Sequence, residues 1–404
     1  MNIRNALVFE SLTKTALGSL ATLYVARQLD AVTFGVLSYY IALFSVISTI
    51  SLMGMDSLLI ARARSLKLSL TDHVLLSVKL RCIFLIAVSV CYAVIFSDDN
   101  INIPTLMLLG AVILNCASHL DAQLIIVGDF KFLLKVKIVE SVGATILKLV
   151  FAKLFSNAAI IIFAYVVPQM LRGAVVFARY IRISRPRYRR LQAFALLRES
   201  WPLGISAVAA ILYGRSDQLM LHWFGRSEEL GNYSLAVLLT EALITSASLL
   251  ASIRIAQREP NYDETKLSRL LALHYREFFY LGFVAALVSV AAAYLIGEIL
   301  LTDYSQLAGL VVIMGGALPF TFLSIISSRH FIFERKQALV MRRTLGGLAL
   351  NVMLNLILIA EYGAFGCAAS TIISQIFVSI IADFSHSDAR KHFYYKLRGI
   401  TGKV

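Results

Sequence analysis

Apolar runs of about 20 residues, separated by short polar segments, recur along the whole chain. A helix needs roughly 20 residues, at about 1.5 Å each, to cross about 30 Å of hydrocarbon. In lipid every backbone polar group must be satisfied internally, so only helices or closed barrels can span. These runs are continuous rather than alternating, which excludes a barrel. About twelve candidate spans are legible, at 8–29, 35–59, 75–97, 103–127, 137–156, 158–180, 201–224, 231–253, 278–300, 306–328, 338–360 and 363–384. The expected fold class is therefore an all-α polytopic membrane protein. Composition agrees. The 404 residues are 59% hydrophobic and 15% charged, against about 25% charged in an average soluble domain. Disorder needs low hydrophobicity and is excluded on the same ground. The first run carries Glu10 and Lys14 and no small-residue cleavage site follows it, so it reads as a retained span rather than a leader.

A net charge of +14 could suit nucleic acid. The basic residues instead sit in short loops between apolar runs, so no nucleic-acid partner is expected. With both termini placed in the cytoplasm, the cytoplasmic segments hold 29 Lys and Arg, and the outer loops hold 3 (Arg27, Lys153 and Arg226). That asymmetry satisfies the positive-inside rule. The longest connection contains Arg185, Arg187, Arg189 and Arg190, a run suited to anionic lipid head groups. It divides the chain into a six-helix half at 1–183, a basic linker at 184–200, a second six-helix half at 201–385 and a basic tail at 386–404. A membrane glycan polymerase or ligase, which usually carries a large catalytic outer loop, is a second alternative that the short outer loops argue against. No phosphate-cradling glycine loop, nucleophile elbow or zinc motif is present, which excludes ATP hydrolysis and catalysis in a soluble segment. The four cysteines, Cys82, Cys91, Cys116 and Cys367, lie in apolar runs without paired histidines. They read as buried thiols, and no metal or cofactor is expected.

Ionisable residues within membrane spans are costly and usually face a cavity or a partner. Arg215 and Glu241 lie about 13 and 15 Å from the same outer end of two helices joined by a short turn. They are predicted to pair, with Asp217 pointing elsewhere. Lys148 falls near the middle of its span. Arg172 and Asp121 lie about 12 and 9 Å from the cytoplasmic ends of theirs, close enough in depth to pair with each other. Arginine and lysine bind phosphate oxygens, so Arg215, Lys148 and Arg172 are the candidate substrate-binding residues. Glu241, Asp217, Asp121 and Lys14 are the candidate coupling or cavity-lining residues. Glu10 and Lys14 have the i,i+4 spacing of a helix ion pair. His119 and Asn115 suit helix-packing hydrogen bonds. Asn351 and Asn355, following Gly346 and Gly347, suggest close helix packing. Trp201 and Trp223 read as interface anchors, with Pro202 in a first helical turn.

The halves share a pattern. Phe34-Gly35 and Leu230-Gly231 each follow a short outer turn and open an apolar helix. Two six-span repeats with a substrate path between them are a transporter plan.

Several stretches resemble a known family. Val25-Ala26-Arg27-Gln28-Leu29 with Phe34-Gly35, then Ser200-Trp201-Pro202-Leu203, is similar to the polysaccharide-unit (Wzx-type O-antigen) flippases. So are Asp217-Gln218-Leu219-Met220-Leu221, Gly231-Asn232-Tyr233 with Glu241, and Asn351, Asn355 and Tyr362-Gly363 with Gly366. These proteins belong to the multidrug/oligosaccharidyl-lipid/polysaccharide exporter superfamily. The resemblance implies two six-helix bundles forming a MATE-like V in the bacterial inner membrane. It implies translocation of an undecaprenyl-diphosphate-linked oligosaccharide for O-antigen, lipopolysaccharide or another surface glycan. Membrane lipids, a polysaccharide polymerase and a chain-length regulator would be its partners. An ion-coupled multidrug or cation antiporter of the same superfamily is the alternative.

Overall fold

A computed structural model describes residues 3–52, 54–55, 78–83, 86, 121, 124, 129–184, 193–258 and 263–402. The described residues form α-helices joined by short turns, with one 3-10 turn and no strand. The helices are α1 (Ile3–Gln28), α2 (Ala31–Leu52), α3 (Phe130–Leu154), α4 (Ala158–Ser184), α5 (Ala193–Trp223), α6 (Ser227–Ala256), α7 (Glu264–Ile299), α8 (Leu307–Phe333), α9 (Gln337–Ser379) and α10 (Ser387–Ile400). Among the described residues, six helical segments are long and apolar enough to cross a membrane. The candidate spans at 75–97 and 103–127, with His119 and Asn115, lie almost wholly outside the described residues.

Short polar residues begin several of these helices for a local reason. Asp30 accepts the Thr33 amide at 3.3 Å and starts α2. Asn157 accepts the Ala159 amide at 2.8 Å and starts α4. Each satisfies a backbone donor that the first helical turn leaves open. Hydropathy alone misses the helical extensions beyond the apolar runs. α5 begins at Ala193 rather than 201, and α7 at Glu264 rather than 278. The added turns are charged and half polar, so they carry no apolar signal. One consequence is that Pro202 lies inside α5, not in its first turn.

Spans eleven and twelve are continuous as α9 but double back on themselves. Gly363 sits at φ 56°, ψ −131°, a conformation only glycine adopts freely. The bend makes residues 337–362 and 364–379 antiparallel neighbours. Arg343 Nε donates to the Val378 carbonyl oxygen at 2.8 Å across the hairpin. The turn is clasped from the α5–α6 connection. Glu229 Oε2 accepts the Ala364 amide at 2.6 Å, and Arg226 Nη2 donates to the Ala360 carbonyl at 3.0 Å. Arg226 and Glu229 also pair with each other at 2.6 Å. An anion thus caps one helix start and a cation one helix end, as the helix dipole favours.

The chain separates into two compact units, residues 1–29 with 36–211, and residues 30–35 with 212–404. Unit 1 holds α1, α3, α4, most of α2 and the first part of α5. Unit 2 holds α6 to α10, the last part of α5 and the first turn of α2. The two glycine motifs meet within unit 2. A Cβ on Gly35 would overlap the Ser227 carbonyl oxygen, and one on Gly231 would overlap the Ala31 carbonyl oxygen. Ala31 with Gly35 and Ser227 with Gly231 are each small residues four apart, the pattern that lets membrane helices touch backbone to backbone. Gly231→Val should therefore destabilise the protein by about 1–3 kcal/mol, the usual cost of overpacking. Thermal unfolding in detergent against wild type checks it.

α10 closes the far end of unit 2. Lys396, buried, donates to Asp383 Oδ2 and to the Ser379 carbonyl oxygen, both at 2.6 Å. Tyr275 and His392 share a hydrogen bond at 2.6 Å, and His392 Nε2 lies 3.3 Å from Glu334. Burial lowers the His392 pKa from its ordinary value, against the opposing pull of Glu334. An unfolded histidine titrates near about 6.5. A depressed folded pKa means that this stability is present above that value and is lost as pH falls below it. Amide protection of residues 387–400, relative to the intrinsic exchange rate at each pH, should fall as pH drops below about 6.5, and His392→Gln should flatten that dependence.

Candidate functional site

Among the described residues, polar clusters lie within the membrane-length helices of each unit. In unit 2, Arg215 Nη2 and Glu241 lie 3.2 Å apart, as their matched depths predict. Arg215 Nη1 donates to Gln218 Oε1 at 3.2 Å, and Gln218 Nε2 donates to Ser234 Oγ at 3.0 Å. The pair is partly open, with side-chain exposures of 22% and 42%.

Asp217 points away from that pair, into the protein. It is buried, and its carboxylate accepts hydrogen bonds from the Tyr233 hydroxyl, from Asn355 Nδ2 at 2.5 Å and from Thr371 Oγ1 at 2.9 Å. Asn351 Oδ1 accepts from Asn355 at 3.1 Å and from Ser216 at 3.0 Å. Asn351 and Asn355 therefore do more than allow close packing: they build the shell around Asp217. The glycines before them do pack closely, with Gly347 against Val378 and Tyr213. Asn355 Oδ1 is buried with no hydrogen-bond partner. The shell comes from α5, α6 and both arms of α9, so the Gly363 bend is what brings Asn355 and Thr371 to one carboxylate.

In unit 1, Arg172 donates to Asp121 and lies 3.6 Å from Glu140. Lys137 approaches Asp121 at 3.6 Å and Lys14 approaches Glu140 at 3.8 Å. Lys14 therefore pairs across to α3, not along α1 with Glu10 as its spacing suggests. The reason is depth of burial. The Glu140 side chain is 5% exposed, and a buried carboxylate draws the cation within reach more strongly than one beside solvent. Hydropathy overlooks Glu140 because it places that residue at a span end. Starting α3 at Phe130 puts it about 15 Å inside the helix.

Lys148 is different. Its ammonium lies 4.0 Å from the centre of the Tyr165 ring, and the Tyr165 hydroxyl lies 3.4 Å from Thr22 Oγ1. Among the described residues no carboxylate pairs with it. The earlier start of α3 also moves Lys148 outward from mid-membrane, to about 9 Å from the Leu154 end. Asp56, Cys91 and Cys116 lie outside the described residues. Cys82 and Cys367 form no disulfide, and among the described residues no group of acidic, histidine and cysteine side chains could hold a metal ion. Trp201 and Trp223 are 67% and 76% exposed, as anchors would be.

Membrane-length helices in two compact units, each with charge at depth, define a polytopic all-α membrane protein. The chain belongs to the polysaccharide biosynthesis protein family, whose model matches residues 5–254. Several solved structures share its fold. An inward-closed lipid II flippase MurJ has a TM-score of 0.74 at 13% identity, covering 98% of this chain and 90% of that one. An inward-facing multidrug resistance MATE transporter has a TM-score of 0.69 at 13% identity, covering 96% of this chain and 95% of that one. A MOP superfamily transporter from Pyrococcus furiosus has a TM-score of 0.53 at 14% identity, covering 100% and 97%. No curated protein sequence matches the chain.

Proposed function

We propose that the protein is a flippase. It moves an undecaprenyl-diphosphate-linked oligosaccharide across the bacterial inner membrane by alternating access, with both termini cytoplasmic, and supplies a polymerase and its chain-length regulator. The observation that carries this reading is Lys148, a half-buried cation with no carboxylate beside it among the described residues. A bare cation within a membrane is costly, and an anionic group on the substrate would offset that cost. Lys14, on α1, is already paired with Glu140. Arg172 and Arg215 already hold carboxylates, so they contribute by exchanging those partners for phosphate oxygens as the substrate passes.

Asp217 is the proposed coupling group. A buried carboxylate ringed by neutral donors changes charge when it takes up a proton or a small cation. The unpartnered Asn355 oxygen adds an acceptor beside it. Hard cations favour such oxygen sets.

The test is sidedness. In vesicles carrying the lipid-linked oligosaccharide, the protein should expose the sugar to an impermeant glycan-modifying enzyme on the opposite face, in response to an imposed proton or sodium gradient. Unchanged sidedness together with efflux of small organic cations would replace this reading with that of an antiporter.

A further inference from the structure

α3 and α4 pack side by side in unit 1 and leave a furrow along one face of their contact. A groove of about 370 Å³ runs between them, lined among others by Val136, Val139, Leu147, Leu171 and Val175. Two sequence choices open it. Gly143 contributes no side chain, and a Cβ placed there would meet nothing within 4 Å. Pro168 lies inside α4, where it removes a helix hydrogen bond and displaces the preceding turn. Val139 and Leu171 are 70% and 61% exposed. On helices that cross a membrane, such a face meets lipid.

The groove carries an exposed cation at one end and the Glu140–Arg172 pair further along its wall. Lys135 is that cation, beside Phe132, and Lys131 is exposed one turn earlier. Arg179 lies over the Phe132 ring at 5.1 Å, on the facing helix. From Lys135 to Leu147 the groove follows about 18 Å of helix. Half of a hydrocarbon core of about 30 Å is about 15 Å. The groove thus runs from head-group level to mid-membrane on the basic side, the span of one chain in one leaflet.

We infer that this groove binds one acyl chain of an anionic glycerophospholipid, with its phosphate held by Lys131 and Lys135. Basic pockets between membrane helices select anionic head groups. The length of the groove argues for an ordinary leaflet lipid rather than a long isoprenoid carrier, which would overrun it. The chain would also serve the charge cluster behind it. Glu140 and Arg172 line the groove, and Glu140 Oε2 and Arg172 Nε are buried without hydrogen bonds. A hydrocarbon chain over them keeps water out and so strengthens their attraction. This inference does not depend on what the protein transports.

The test uses the full chain purified in detergent, with phosphatidylglycerol and phosphatidylcholine of identical chains as probes. Native mass spectrometry and thermal unfolding report binding, and a photoreactive phosphatidylglycerol reports its place. Phosphatidylglycerol should bind at least about tenfold tighter than phosphatidylcholine, because both offer the phosphate but the choline cation of the latter cancels the net charge that the two lysines attract. Its cross-links should map to residues 132–147 and 168–175. Lys131→Gln with Lys135→Gln should bring the two lipids within about twofold of each other, while Gly143→Leu should weaken both. Should Gly143→Leu fail to fold, the lysine pair and the cross-link map decide the matter. Equal binding of the two lipids to the unmodified protein, cross-links elsewhere, or displacement of phosphatidylglycerol from this groove by equimolar undecaprenyl phosphate would each overturn the inference.

Discussion

Replacing Lys148 with alanine should lower translocation of the lipid-linked oligosaccharide about 10- to 100-fold, at unchanged membrane abundance. A charge-assisted hydrogen bond is worth about 1.5–3 kcal/mol, and every 1.4 kcal/mol is a factor of about ten. The protein itself should be undisturbed. Lys148 holds no carboxylate among the described residues, so its loss leaves no buried anion behind, only an emptier face on Tyr165. Lys148→Arg should recover a large part of the rate, because the charge returns at nearly the same reach. Arg172→Ala makes the contrast. It takes from Asp121 and Glu140 their shared cation and leaves them only Lys137 and Lys14, at 3.6 and 3.8 Å, so it should cost stability as well as rate. Measuring initial flipping rates beside unfolding midpoints for the three variants separates the two effects. If Lys148→Ala flips at the wild-type rate, Lys148 has no part in the substrate path.

Removing Asp217 should have the largest effect on folding. Asp217→Ala deprives Tyr233, Asn355 and Thr371 of their common acceptor in a buried setting. Each stranded donor costs about 1–3 kcal/mol, and partial relaxation leaves a net loss of about 3–5 kcal/mol. Asp217→Asn keeps the shape and one acceptor oxygen, so it should lose only about 1–2 kcal/mol. It cannot change charge, however. If Asp217 is the coupling group, the asparagine variant should flip substrate at a rate that no longer responds to an imposed proton or sodium gradient. A gradient response equal to wild type would remove Asp217 from coupling and leave it a structural acceptor.

What is legible in the sequence, and what is not, divides along physical lines. Apolar runs announce a membrane helix because lipid imposes length and composition together. Depth along such a run then places charges, which is why the positions of Arg215 and Glu241 in their helices suffice to match them. Partners on helices far apart in sequence are not legible in this way. Asn355 and Thr371 reach Asp217 only because α9 turns back at Gly363; the break between the spans at 338–360 and 363–384 marks that reversal, but not which side chains it brings to one carboxylate. Glu140 is hidden for a simpler reason. Hydropathy trims a helix at its first charged turn, so a helix that begins in polar residues is read as starting too late. The same trimming hides the starts of α5 and α7. Gly35 and Gly231 are visible as a repeated motif, but their contact with each other is not.

The clasp around the α9 hairpin also sets a clock for synthesis. Glu229 is made 135 residues before the Ala364 amide that it caps. Asp217 is made 138 residues before Asn355 and 154 before Thr371. At about 5–20 residues per second, the carboxylate must wait roughly 7–30 s for those donors. During that interval it is a lone acid in a half-built unit, with only Tyr233 nearby in the chain to answer it. A proton is the simplest companion open to it then. A nascent chain stopped before Gly363 should accordingly be a substrate for membrane proteolysis, and one stopped after Thr371 should not.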